Sequence, residues 1–179
     1  LPLVPGASDF IECNLRTYVT GRGRPGVWFF SLDASSRIAV AGARLGFHLP
    51  YHHAAMTCEH EGPSRVFGRA VRYSSRRESG EHSANVRVRY QPTGEPELAA
   101  AGTLEHWLTE RYCLFCIDRN GDLRSADIHH LPWRLQPARA DFDELELSRA
   151  HGVEYLAGEP HLSFARRQDV LIWPPALNW

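Results

Sequence analysis

FIECNLRTYV, residues 10–19, alternates apolar and polar side chains with a period of two, and its reading decides the fold class. Successive side chains of a strand point to opposite faces, so Phe10, Glu12, Asn14, Arg16 and Tyr18 share one face, while Ile11, Cys13, Leu15, Thr17 and Val19 share the other. The second face is built to pack. The first carries a carboxylate, an amide, a guanidinium and a phenol. Outward from this strand, the glycines between 21 and 26 turn the chain, and residues 27–32 (VWFFSL) form a short aromatic strand. Asp33 or Ser35 can then cap a short Ala-rich helix over 37–45, which Gly46 and Pro50 end. Strands are predicted over 54–59, 65–75 and 85–90, separated by Gly, Pro and Ser clusters. A second short helix is predicted over 103–109. Asn120-Gly121 signals a type I′ hairpin with 123–130 as its returning strand. Residues 141–150 read as helical, and 160–173 as one closing strand. The pattern is mostly β (α+β).

Bulk composition narrows the function classes. With 179 residues, 43% of them hydrophobic, the chain can bury one sizeable core, and a single domain over 1–179 is expected. A net charge of −1 with both signs scattered leaves no basic stripe for a phosphate backbone or an anionic bilayer, so nucleic-acid and membrane partners are not expected. No apolar stretch approaches the roughly 18 residues of a membrane span, and residues 1–6 lack the features of a signal peptide. The cytoplasm is the expected compartment. Because the chain starts at Leu1 rather than Met, an upstream segment is expected to be missing. Composition leaves a homo-oligomer open. The four cysteines are too few for a disulfide scaffold and are expected as free thiols; Cys113 and Cys116, three apart on a strand, would face opposite ways. The pairs His52-His53 and His129-His130 present at most one ring each to a shared ion, so no metal site is expected. No cofactor is expected either.

Several blocks taken in order carry a resemblance over nearly the whole length. They are FIECNLRTYV (10–19), PGVWFFSLDA (25–34), GARLGFHLPYHHAAM (42–56), GTLEHWLTERYCLF (102–115), DIHHLPW (127–133) and RRQDVLIWP (166–174). This arrangement resembles the YqjF-like family of uncharacterised bacterial proteins, which is similar to the acetoacetate decarboxylase-like superfamily. The resemblance implies an antiparallel sheet coiled into a cone or barrel around a small-molecule cavity, with a few short helices and with the N-terminal part of the family fold absent here. In the decarboxylase a strand-opening glutamate is followed by a Gly-Arg-bearing helix and then by a Schiff-base lysine directly after a proline. Those positions here are Glu12, the 42–45 segment and Tyr51 after Pro50, and the lysine position reads tyrosine. The chain has no lysine at all, since all 20 of its Lys and Arg residues are arginine, so the covalent amine step is excluded.

The expected catalytic group is therefore Glu12 with Tyr51 or His52. A carboxylate in an apolar wall, held by Asn14 or Arg16, would have a raised pKa suited to general acid or base work. A phenol or imidazole after Pro50 could polarise a carbonyl or relay a proton. Substrate contacts are expected from Asn14, Arg16, Arg111, Tyr112 and His129, with the planar guanidinium of Arg111 suited to a substrate carboxylate. Simple packing is the competing reading for the tyrosine and a structural ion pair for Arg111. Trp133, Trp173 and Trp179 read as core or rim. The lead expectation is a domain that binds a small organic acid or carbonyl compound and acts on it as a lyase- or hydrolase-like acid/base enzyme. The alternatives are a ligand-binding or sensor module without chemistry, and a structural subunit whose cavity its own side chains fill.

Overall fold

The computed structural model describes residues 9–63, 67–77, 84–153 and 158–176. The alternating stretch at the start forms strand β1 (Glu12–Gly21), which turns back antiparallel into β2 (Arg24–Ala34). Arg22 and Gly23 both have positive φ, 52° and 78°, as a two-residue type I′ hairpin requires. Helix α1 (Arg37–Gly46) leads to β3 (Tyr51–Glu61), and a meander of β4 (Ala70–Arg77) and β5 (Asn85–Pro92) follows. The short β6 (Glu97–Leu98) and helix α2 (Leu104–Thr109) precede β7 (Cys113–Ile117), β8 (Leu123–His130) and β9 (Arg134–Leu145). A 3₁₀ turn over Arg149–His151 and two short strands, β10 (Ser163–Phe164) and β11 (Val170–Ile172), complete the described chain.

One sheet joins all the strands, in the order β10-β9-β5-β4-β3-β2-β7-β8-β11, with β1 on β2 and β6 on β9. Strand β2 is where it forks. It pairs with β1 at every residue but Phe30; Leu32–Ala34 pairs parallel with β3, while Val27 and Trp28 pair parallel with β7. The ladder to β1 slips by one residue between Leu15 and Arg16, leaving Phe30 unpaired at the fork. Each branch has its own core. Val27, Leu32, Leu49, Leu114, Cys116 and Ala126 form the first, with Tyr18, Phe29, Phe47 and Tyr51 packed on it. Tyr73, Ala84, Val86, Val88 and Leu147 form the second, against Ile11, Cys13 and Leu15. Strand β1 thus divides its two faces between the two cores, as its alternation requires. Gly26 has no room for a side chain, because a Cβ there would lie 2.6 Å from the carbonyl oxygen of Cys113 and 2.7 Å from the Phe115 ring.

The sheet is curved but open. Nine strands laid flat would hold β10 and β11 about 38 Å apart. Yet Phe164 and Val170 are six residues apart, which spans at most about 22 Å. The edges must curl towards each other, as a cone does. No ladder joins β10 to β11 among the described residues, so the sheet is an open cone rather than a closed barrel; it is antiparallel except for the two short parallel pairings at the fork.

Local expectations are also corrected. Ser36, not Asp33 or Ser35, caps α1, accepting from the Ala39 amide at 3.1 Å; Ser35 Oγ instead accepts from the Ile11 amide at 2.9 Å. The Asn120-Gly121 turn is not type I′, since Gly121 has positive φ (87°) and Asn120 does not. Asp118 organises it, its Oδ1 accepting from the Asn120 and Asp122 amides at 2.8 and 3.0 Å. Residues 141–145 are strand, because cross-strand pairing to β5, including an Arg87–Glu144 ion pair at 3.2 Å, overrides local helix preference. The single closing strand is two, β10 on β9 at one edge and β11 on β8 at the other.

Candidate active site

Glu12 opens β1 opposite Ala34, the last residue of β2, and Tyr51 opens β3 opposite Leu32. Both therefore sit at the root of the fork. The Tyr51 hydroxyl donates to Glu12 Oε2 at 2.6 Å across 39 residues of sequence. Both side chains are half-buried. Asn14, one step along the same face, donates from Nδ2 to Glu12 Oε1 at 3.3 Å. From the second core the Tyr73 hydroxyl donates to the Glu12 backbone carbonyl at 3.1 Å, and Arg44 of α1 donates from Nε to the Tyr51 carbonyl at 2.6 Å. The pair is thus fixed by both side-chain and main-chain bonds. Burial, followed by the Glu12 charge and the hydrogen bond to it, pushes the Tyr51 phenol far above its ordinary pKa, so it stays protonated and acts as a donor.

His52 lies on the other side. It is the next residue of the strand, and its ring is 6.5 Å from His151. Burial first, then the positive charge of Arg77 and Arg44 and the neighbouring His151, lowers its pKa to about 4. It is a neutral imidazole at ordinary pH and does not share the Glu12–Tyr51 contact. Its surroundings include a pair that the sequence reading missed, the buried ion pair of Asp33 and Arg77. Arg77 donates to Asp33 Oδ1 from Nη2 at 2.7 Å and from Nε at 3.0 Å, with side-chain exposures of 5% and 0%. Asp33 had the look of a helix cap; its signal was its place at the end of an otherwise apolar strand.

Two of the other candidates, Arg16 and Arg111, meet over Tyr18 further along β1. Arg16 is exposed, with its guanidinium 5.6 Å from the centre of the Tyr18 ring. Arg111 lies over the same ring at 5.6 Å and over Trp107 at 4.4 Å, and its Nη1 donates to the Glu110 carbonyl at 3.2 Å. Its buried Nε has no hydrogen-bond partner among the described residues. Glu12 and Tyr18 are six residues apart, about 20 Å of strand. One small ligand therefore cannot bridge the Glu12–Tyr51 pair and this cluster. Tyr112 is exposed and donates to the Glu110 carboxylate, which with burial raises its phenol to about 12. His129 is exposed on β8 opposite Leu171. Its neighbour His130 is the buried ring, stacked on Tyr112 at 4.7 Å and meeting Trp133 edge-on at 5.8 Å. Trp173 is half exposed, and Trp179 lies outside the described residues. All four cysteines are free, Cys113 and Cys116 both buried in β7. No group of three or more His, Cys, Asp or Glu side chains able to hold a metal occurs among the described residues. No helix among them is long and apolar enough to cross a membrane.

The mostly-strand chain with its forked, curled and open sheet has an acetoacetate decarboxylase-like fold. Acetoacetate decarboxylase from Legionella pneumophila superposes with a TM-score of 0.50 at 12% identity, over 93% of this chain and 63% of that enzyme. A second acetoacetate decarboxylase structure gives 0.58 at 10% identity, over 95% and 68%. The enduracididine biosynthesis enzyme MppR complexed with pyruvate gives 0.52 at 11% identity, over 96% of this chain and 64% of that one. The chain therefore spans less than two thirds of the Legionella enzyme and of MppR. It belongs to the DUF2071 family of uncharacterised conserved proteins, whose model matches residues 1–169. It is 46% identical over 174 residues to the uncharacterised protein YqjF of Bacillus subtilis strain 168, covering 97% of this chain and 69% of that protein.

Proposed function

We propose that the Glu12–Tyr51 pair binds a small organic acid or carbonyl compound and acts on it by non-covalent acid/base chemistry. The observation that carries this reading is the 2.6 Å contact between two half-buried side chains brought together from the first residues of β1 and β3. Tyr51 holds its proton, so a ligand oxygen that takes the place of Glu12 as acceptor is polarised by a phenol. The carboxylate released from that bond is then placed to take a proton from the ligand. With no lysine in the chain, no imine to a side-chain amine can form. Two of the structural neighbours guide the choice of probes: one is named for acetoacetate, and another holds pyruvate.

A second reading, a ligand-binding or sensor module, is favoured by the same bond seen from the other side. The Tyr51 proton already satisfies Glu12, so the pair is complete without a substrate. A thermal-shift screen against small keto and hydroxy acids tests both. Stabilisation by one of them, lost in Glu12→Ala, supports a ligand site; no stabilisation by any removes it. Turnover of that ligand, abolished in Glu12→Gln, makes the protein an enzyme, and binding without turnover makes it a sensor.

A further inference from the structure

Two arginines take no part in the Glu12–Tyr51 pair, yet both come to one ring. Arg16 on β1 and Arg111, between α2 and β7, each hold their guanidinium 5.6 Å from the centre of the Tyr18 ring. Two such approaches to one point leave the charges within about 11 Å of each other. Trp107 of α2 completes the group. Its ring is 4.7 Å from Tyr18 and 4.4 Å from the Arg111 guanidinium, and it is half exposed.

An arginine laid over an aromatic ring is ordinarily packing. What distinguishes this pair is where the N–H donors go. Elsewhere Arg72, Arg77, Arg89 and Arg124 each hold a carboxylate. Arg16 makes no hydrogen bond or ion pair among the described residues. Arg111 spends one donor of five, from Nη1 to the Glu110 main-chain carbonyl, and its Nε is buried with no partner among those residues. The adjoining Glu110 carboxylate is taken up by the Tyr112 hydroxyl. A buried donor without an acceptor is costly, and it marks where an acceptor belongs. Stacking on ring faces meanwhile fixes the plane of a guanidinium without spending the donors at its edge.

We propose that Arg16 and Arg111 form a second binding site, for a short aliphatic dicarboxylate. Each guanidinium presents a planar fork to one carboxylate, and the Tyr18 and Trp107 rings give the methylenes between them an apolar floor. A monoacid leaves one arginine without a counter-charge, and an uncharged molecule leaves both. Reaching Nε of Arg111 requires the half-exposed Trp107 ring to shift, so binding is read in its fluorescence. The site shares no residue with the Glu12–Tyr51 pair and does not depend on the function proposed for it.

Isothermal titration of the full chain with succinate and glutarate, beside butyrate, succinamide and inorganic phosphate as controls, tests the inference. The expected result is saturable binding of a diacid, weakened by added salt, with each control binding more weakly or not at all. Arg16→Gln, at an exposed position that leaves the fold intact, should weaken it about five-fold or more. Arg111→Gln should weaken it as well, and if that variant unfolds, Arg16→Gln decides. The diacid should also change tryptophan emission, and Trp107→Phe should abolish that change. Absence of diacid binding, equal binding of butyrate or phosphate, affinity unchanged in Arg16→Gln, or an emission change that survives Trp107→Phe would each overturn the proposal. Binding lost in Glu12→Ala but kept in Arg16→Gln would assign the diacid to the other pair and overturn it too.

Discussion

Replacing Tyr51 by Phe removes one oxygen and leaves the ring in the first core, so the change reads the hydrogen bond rather than the packing. The bond runs from a neutral donor to a carboxylate at 2.6 Å, a class worth about 1.5–3 kcal/mol net. Two features set the value in that range. Among the described residues the Glu12 carboxylate keeps the long 3.3 Å contact from Asn14 as its one remaining side-chain hydrogen bond, which argues for a substantial loss; but the site is half-buried, so water can take the vacated position, which argues for the lower end. We expect Tyr51→Phe to cost about 1.5 kcal/mol of unfolding free energy. Glu12→Gln keeps an acceptor but removes its charge. A double-mutant cycle of the two should show a coupling of about 1 kcal/mol, well outside the ~0.3–0.5 kcal/mol within which independent sites add. Urea denaturation at pH 7 is the assay, with an unchanged m-value as the check that only stability has moved. Additive single effects would refute the reasoning, because they would mean that the two groups do not interact in solution.

Two further perturbations test the opposite face. Asp33→Asn or Arg77→Met, each leaving one member of a fully buried ion pair alone, should cost about 3–5 kcal/mol in the same urea assay, and an apolar double replacement should recover most of it; single variants as stable as the parent would show the pair to be solvated. His52 has its folded pKa lowered to about 4, whereas in the unfolded chain it titrates at about 6.5. Between those values the unfolded state binds a proton that the folded state refuses, so His52 leaves stability unaffected above about pH 6.5 and lowers it as pH falls towards 4. The stability difference between the parent and His52→Phe should accordingly be flat above pH 7 and shift in favour of the variant on acidification. A difference that stays constant from pH 7.5 to 4.5 would show that the imidazole is not shielded.

The alternation of 10–19 was enough to place Glu12, Asn14, Arg16 and Tyr18 on one face of β1, because a strand with packing on both sides has no freedom in which face each residue takes. The meeting of Glu12 with Tyr51 was legible only through the family register, since local pattern says nothing about partners 39 residues apart. The separation of His52 from Tyr51 follows from the same period of two that was applied to the paired histidines. Asp33 misled because a carboxylate before a helix is usually a cap, and its partner Arg77 is distant in sequence. Residues 141–145 misled for a related reason: their helical preference is a local property, while their strand state comes from β5. The tail could not be divided from sequence, because β10 and β11 are strands only by virtue of the separate edges they meet.

The fork in β2 leaves Glu12 and Tyr51 beside the strand that the two branches share. Loops at the distal ends of either branch can lengthen, shorten or change composition without altering the pairings Leu32↔Tyr51 and Ala34↔Glu12. Changes confined to those loops would alter the outline and surface chemistry of the molecule while leaving the Glu12 and Tyr51 oxygens in contact.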